Sequence, residues 1–164
     1  MSTRNVGEHL REHLAIRDLL DRYTNALNQR DWKTFESLFT TDAVWDAGGP
    51  ELGSMGFRFE GGENVAQGIA TMVSGTELCV QTNHAVVIEV GNAAATATST
   101  IQEFVRVKGA AALVTSLGTY YDRLRLERDA EWRFEGRVFR YTWIESGGPA
   151  GDVMGRFPLE RRPG

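Results

Sequence analysis

"ELCVQTNHAVVIEVGNAAATATSTIQEFVRV", residues 77–107, decides the architecture of this chain. Apolar and polar residues alternate through it with a period of two, as half-buried strands require, and "GN" at 91–92 is a short turn between the two runs. Upstream the period is helical. From about Val6 to Leu27, Leu10, Leu14, Ile16, Leu19, Leu20, Tyr23, Ala26 and Leu27 form one broad apolar stripe.

Between these regions, "NQRD" interrupts the first helix, and Asp31 reads as the N-cap of a second, "WKTFESLF". "TTDAVWDAGG" gives a turn, a short strand and a glycine exit, and "GPELGSMG" (49–56) is loop. "FRFEGGENVAQGIATMV" then gives a short strand, a Gly-Gly break and a third helix. Beyond Ser74 come four alternating segments, roughly 78–90, 93–107, 111–126 and 131–144. Strands joined by turns as short as "GN", "KGA" and "ERDA" must be antiparallel neighbours. The expectation is an α+β fold: a cone-shaped roll with three N-terminal helices packed on a strongly curved, mixed or antiparallel sheet. Residues 1–145 make the domain, and 146–164, rich in Gly and Pro, an irregular C-terminal tail.

The 164 residues suit one domain with a real core, at 41% hydrophobic and 24% charged. A net charge of −4 argues against nucleic acid or an anionic membrane as partner. The single cysteine, Cys79, cannot form an internal disulfide and sits in an apolar strand, which fits an inert thiol in a reducing compartment. The N-terminus has no long apolar stretch, so neither a signal peptide nor a transmembrane span is expected, and the location is cytoplasmic.

"IRDLLDRYTNALNQRDWKTFESLFTTDAVW", "FEGGENVAQGI", "IEVGNAAATATS" and "GTYYDRLRLERDAEWRFEGRVFR", in that order, resemble the SnoaL-like polyketide cyclase and dehydratase group of the nuclear transport factor 2-like superfamily. The resemblance covers roughly residues 12–145. It implies a cone open at one end, and it leaves activity open among dehydratases, isomerases, cyclases, epoxide hydrolases and binding proteins. The scytalone dehydratase type pairs an aspartate at the end of the first helix with a histidine on the first long strand. Here the aspartate's position is Asn28, and an amide cannot serve as general base. The strict register places the histidine's position at Gln81, three residues before His84; a bulge would bring His84 into the match.

His84 shares the parity of Val86, Ile88 and Val90, so it is expected to face the pocket as a base. Glu103 shares a face with Ala95, Ala97, Ser99, Ile101, Val105 and Val107; a carboxylate there is an acid or base candidate, unless the face is reversed and it stands in water. Tyr23 is a candidate to hold a substrate oxygen, and Asn28 suits an oxyanion donor better than a base. Tyr120 and Asp122 share the apolar face of "GTYYDRL", as a catalytic pair or a structural hydrogen bond. Trp45, Trp132 and Phe57 supply core or pocket wall, and Gln81 a polar contact. Arg137 matches an arginine common on the last strand of SnoaL-like chains, although Arg133 and Glu135 beside it read as the solvent face.

His9 and His13 have no third ligand nearby, and "FEGGEN" lacks the Lys-Ser/Thr and strand-helix context of a phosphate loop. Hence no metal and no cofactor is expected. Two functions follow. One is a cofactor-free lyase or isomerase of secondary metabolism (cyclase, dehydratase or isomerase) acting on an apolar polyketide- or terpenoid-like substrate. The other is a non-catalytic ligand-binding or dimeric scaffolding domain. A small molecule and a second copy, as a homodimer, are the expected partners.

Overall fold

The computed structural model describes residues 6–48 and 56–147. The loop expected at 49–56 lies outside them apart from Gly56, and so does the expected tail beyond Ser146 and Gly147.

Three helices and six strands run in the order α1 (Val6–Gln29), α2 (Trp32–Ser37), β1 (Phe39–Ala47), β2 (Phe57–Glu60), α3 (Gly62–Ser74), β3 (Thr76–Val90), β4 (Ala94–Val107), β5 (Val114–Leu126) and β6 (Trp132–Ser146). The strands form one mixed sheet, β2-β1-β6-β5-β4-β3, in which β3 to β6 are the antiparallel meander and β1 joins β6 in parallel. This is the α+β cone expected from the change of period. Asp31 caps α2: one carboxylate oxygen accepts from the Thr34 amide at 3.1 Å and the other from the Thr34 hydroxyl at 2.7 Å. Among the described residues no helix is long and apolar enough to cross a membrane.

α1 lies along β3, and α3 packs on β1 and β2. The core stripe of α1 is Ile16, Leu19, Leu20, Tyr23, Ala26 and Leu27. Leu10 and Leu14 do not belong to it: they are 59% and 62% exposed. At about 100° per residue they fall on the opposite side of the helix. The stripe is therefore narrower than the sequence suggested.

Curvature comes from irregular pairing. β3 gains a residue over β4 between Asn83 and Val86, and β6 gains one over β5 between Phe134 and Gly136. Such bulges bend a strand and invert the in-out parity beyond them. Both inversions bear on the site.

Candidate active site

The concave face of the sheet and the helices enclose a cavity of about 140 Å³. Its walls come from α1, α3 and all six strands. That is close to the size of an apolar cavity that accepts a single benzene ring.

The polar wall begins with a cross-strand pair. Gln81 on β3 lies directly opposite Glu103 on β4, and both line the cavity. Gln81 Nε2 donates to Glu103 Oε2 at 2.6 Å and, more weakly, to Tyr120 Oη at 3.4 Å. Tyr120 and Tyr23 share a hydrogen bond of 3.2 Å, and Trp45 Nε1 donates to Tyr23 Oη at 3.2 Å. Both phenol oxygens thus accept from nitrogen donors, and one of the two phenol hydrogens joins the pair. Among the described residues that leaves the other hydrogen for a ligand.

Burial dominates the electrostatics. It raises the Glu103 carboxyl above the usual range, opposed only by the Gln81 hydrogen bond. It also raises Tyr23, and raises Tyr120 well beyond the ordinary phenol value. Tyr141, beside them on the wall, is pushed up to about 12 by burial and by Glu103. No lysine, arginine or histidine among the described residues lines the cavity, and Glu103 is its one acid. A carboxyl so placed can exchange a proton with an apolar ligand.

Asn28 does not face the cavity. Its Nδ2 donates to the Gln81 carbonyl and its Oδ1 accepts from the Gln81 amide, both at 2.8 Å, so it fastens α1 to the backbone of β3. His84 does not face it either. Gln81 and Asn83 point inward below the bulge and Val86 points inward above it, which turns His84 to the exposed outer surface beside Thr82. The parity of Val86, Ile88 and Val90 does not carry across the extra residue. The pocket-facing orientations expected for Asn28 and His84 are both corrected by this geometry.

Arg137 is corrected in the other direction. Glu135 is the extra residue of β6, so Arg137 faces inward with Phe139 and is 0% exposed. Its Nη1 lies 3.3 Å from Asp122 Oδ2, and its guanidinium carbon lies 3.9 Å and 3.7 Å from the ring centres of Tyr23 and Tyr120. Neither Arg137 nor Asp122 reaches the cavity surface; they form a layer behind the phenols. Burial moves Asp122 up to about 6, against the pull of Arg137. Trp45 and Phe57 are both on the wall, Phe57 being half exposed at 44%. Sequence reasoning missed Phe139 and Tyr141; with Arg137 they alternate "RVFRY", a legible signal only once the bulge is known.

The sequence pattern of the SnoaL-like domain family matches residues 8–138. No protein of curated function matches the chain significantly by sequence. Among solved structures, a hexachlorocyclohexane dehydrochlorinase, LinA-type3 of Novosphingobium barchaimii, superposes with a TM-score of 0.78 at 16% identity, covering 92% of this chain and 100% of that one. A Novosphingobium aromaticivorans protein named as a candidate scytalone dehydratase gives 0.74 at 18% identity, over 97% of this chain and 100% of that one. A Mycobacterium tuberculosis protein of unknown function gives 0.70 at 21% identity, over 86% and 78%. At such identities the likeness shows the fold alone.

Proposed function

The chain belongs to the SnoaL-like domain family, and from that premise we propose that it is a cofactor-independent acid/base enzyme whose base is Glu103. The observation that carries this reading is a lone carboxyl on the cavity wall, raised by burial and bonded to a neutral amide. A base whose pKa moves toward the working pH combines availability with proton affinity.

In this reading a small apolar carbonyl compound sits with its oxygen at the Tyr120 hydroxyl. Glu103 takes a proton from the adjacent carbon, and the C–H electrons pass to the carbonyl oxygen, which becomes an enolate held by the phenol. Returning the proton elsewhere isomerises the ligand. Expelling a β-hydroxyl as water, with the proton from Glu103, dehydrates it. Attack of the enolate carbon on a second carbonyl closes a ring. Polyketide-like substrates meet these demands, and a buried lone Cys79 suits a cytoplasmic setting.

The test is exchange of α-protons for deuterium, followed by proton NMR, over a panel of cyclic ketones and β-hydroxyketones. Glu103→Gln should lower exchange or elimination by roughly a hundred- to ten-thousand-fold. Full activity in that variant would sink the reading. A second reading, a binding domain, is favoured by the amides at both positions of the family's dyad. It predicts ligands that bind wild type and Glu103→Gln alike, with no exchange in either.

The homodimer belongs to the same proposal. Val87, Thr98, Tyr121 and Val138 form a row across the outer face of β3 to β6, and Leu117 pairs with Trp143 in a second row. Val87, Leu117, Tyr121 and Trp143 are 65%, 36%, 52% and 44% exposed, an apolar surface that a second copy would cover. Light scattering at micromolar concentration that returns a monomer would remove it.

A further inference from the structure

We infer that Arg137 is a positioning residue: sealed behind Tyr23 and Tyr120, its guanidinium prepares the phenol pair for negative charge on the ligand without touching the ligand. This rests on the reading that Tyr120 holds the substrate oxygen.

Burying this cation is costly. The side chain is 0% exposed, its one ion pair is a single 3.3 Å contact, and its Nε and Nη2 have no partner among the described residues. A buried pair of this kind contributes little to stability that apolar side chains of similar volume would not supply. Its location gives it another use. The guanidinium is stacked against three rings, Tyr23, Tyr120 and, at 4.5 Å, Phe134, and two of these, the tyrosines, line the cavity.

The direction of charge movement fits that position. Proton transfer neutralises Glu103 and places one negative charge on the oxygen at Tyr120, so the charge moves toward the cation. In a dry interior such an interaction is far less screened than in water. The same positive charge opposes the effect of burial on both phenols, while Asp122 works against it at Tyr23. The titratable groups facing the phenol pair are Arg137 on β6, Asp122 on β5 and Glu103 on β4; Tyr141 and Cys79 complete the surroundings.

The experiment replaces Tyr120 with difluorotyrosine in the full chain, which lowers the intrinsic phenol pKa into the range where folded protein persists, and follows its ionisation by fluorine NMR. Neither substrate nor turnover is needed. Arg137→Met should raise the midpoint by about one to three pH units, the usual effect of a charge at this range. Arg137→Lys should restore part of that shift, and Asp122→Asn should lower the midpoint. Loosened packing would admit water and lower the midpoint in every variant. A midpoint that stays put or falls in Arg137→Met therefore overturns the inference. Should that variant not fold, Arg137→Met with Asp122→Asn gives a neutral layer; it should also raise the midpoint, and an unchanged value overturns the inference equally. If these shifts appear while Glu103→Gln keeps full exchange activity, the electrostatic role of Arg137 stands and the assignment of Glu103 fails.

Discussion

Asn28 holds Gln81 by its backbone, donating to the carbonyl and accepting from the amide at 2.8 Å each. This two-point bond sets the depth at which the Gln81 side chain meets Glu103 and Tyr120. Asn28→Ala leaves two backbone groups without a partner, at a cost of about 1 to 3 kcal/mol for each buried group left unsatisfied. Asn28→Asp keeps the acceptor and sets a carboxylate against the Gln81 carbonyl, so it should destabilise as well. Urea unfolding of both variants checks this. Stability equal to wild type in Asn28→Ala would mean that the clasp is dispensable.

His84 on the outer face should be silent in catalysis. His84→Ala is expected to keep exchange activity within about twofold, inside the spread for surface substitutions of roughly 0.5 kcal/mol. Gln81→Ala, three residues deeper on β3, should lower activity markedly by removing the hydrogen-bond donor that holds Glu103. A steady-state comparison of the two variants on the most active ketone of the panel separates them.

The Asp122 carboxyl gives stability a pH signature. Its value rises from 3.8 to about 6 on folding. A raised acid favours the fold when protonated, so this contribution is complete below pH 3.8 and lost as pH rises through about 6. The shift of about 2 units corresponds to roughly 3 kcal/mol. Glu103, also raised, acts in the same direction. Asp42 and Asp129, held down to about 2 by Arg125 and Arg133, contribute stability that is lost only as pH falls below 3.8 toward 2, so the two windows are separate. Asp122→Asn should flatten the decline in unfolding free energy between about pH 4 and pH 7. An unchanged slope would contradict the assignment.

Gly118 on β5 lies against the ring of Phe139, a residue of the cavity wall. A Cβ there would lie 2.3 Å from the Phe139 ring and 2.6 Å from the Arg140 carbonyl. The backbone contact cannot yield by side-chain rotation. Gly118→Ala should cost about 1 to 3 kcal/mol and push Phe139 into the cavity. Thermal melts, together with weaker binding of the largest ketones in the panel, would show both effects.

The elements were legible because their signals are local. A change of period, tight turns and one capping aspartate suffice to order three helices ahead of an antiparallel meander. The inward parity of Tyr120 and Asp122 could be read from the leucines that follow them on β5. His84 and Arg137 could not be read this way, because an extra residue lies within two positions of each and parity counted from its neighbours gives the wrong face. The bond from Asn28 to a backbone 53 residues away leaves no trace in residue type.

The extra residue on β6 has a consequence for how such a chain can change. Loss of Glu135 itself would only remove the bulge, but loss of a neighbouring residue with the bulge retained would turn one half of the strand over relative to the other. Val138 would then stand where Arg137 does now, and Asp122 would lose its cation behind the tyrosines, although neither the arginine nor any residue of the wall had been substituted. At this place chemistry is encoded in spacing, so a comparison that counts only substitutions would miss the event that mattered.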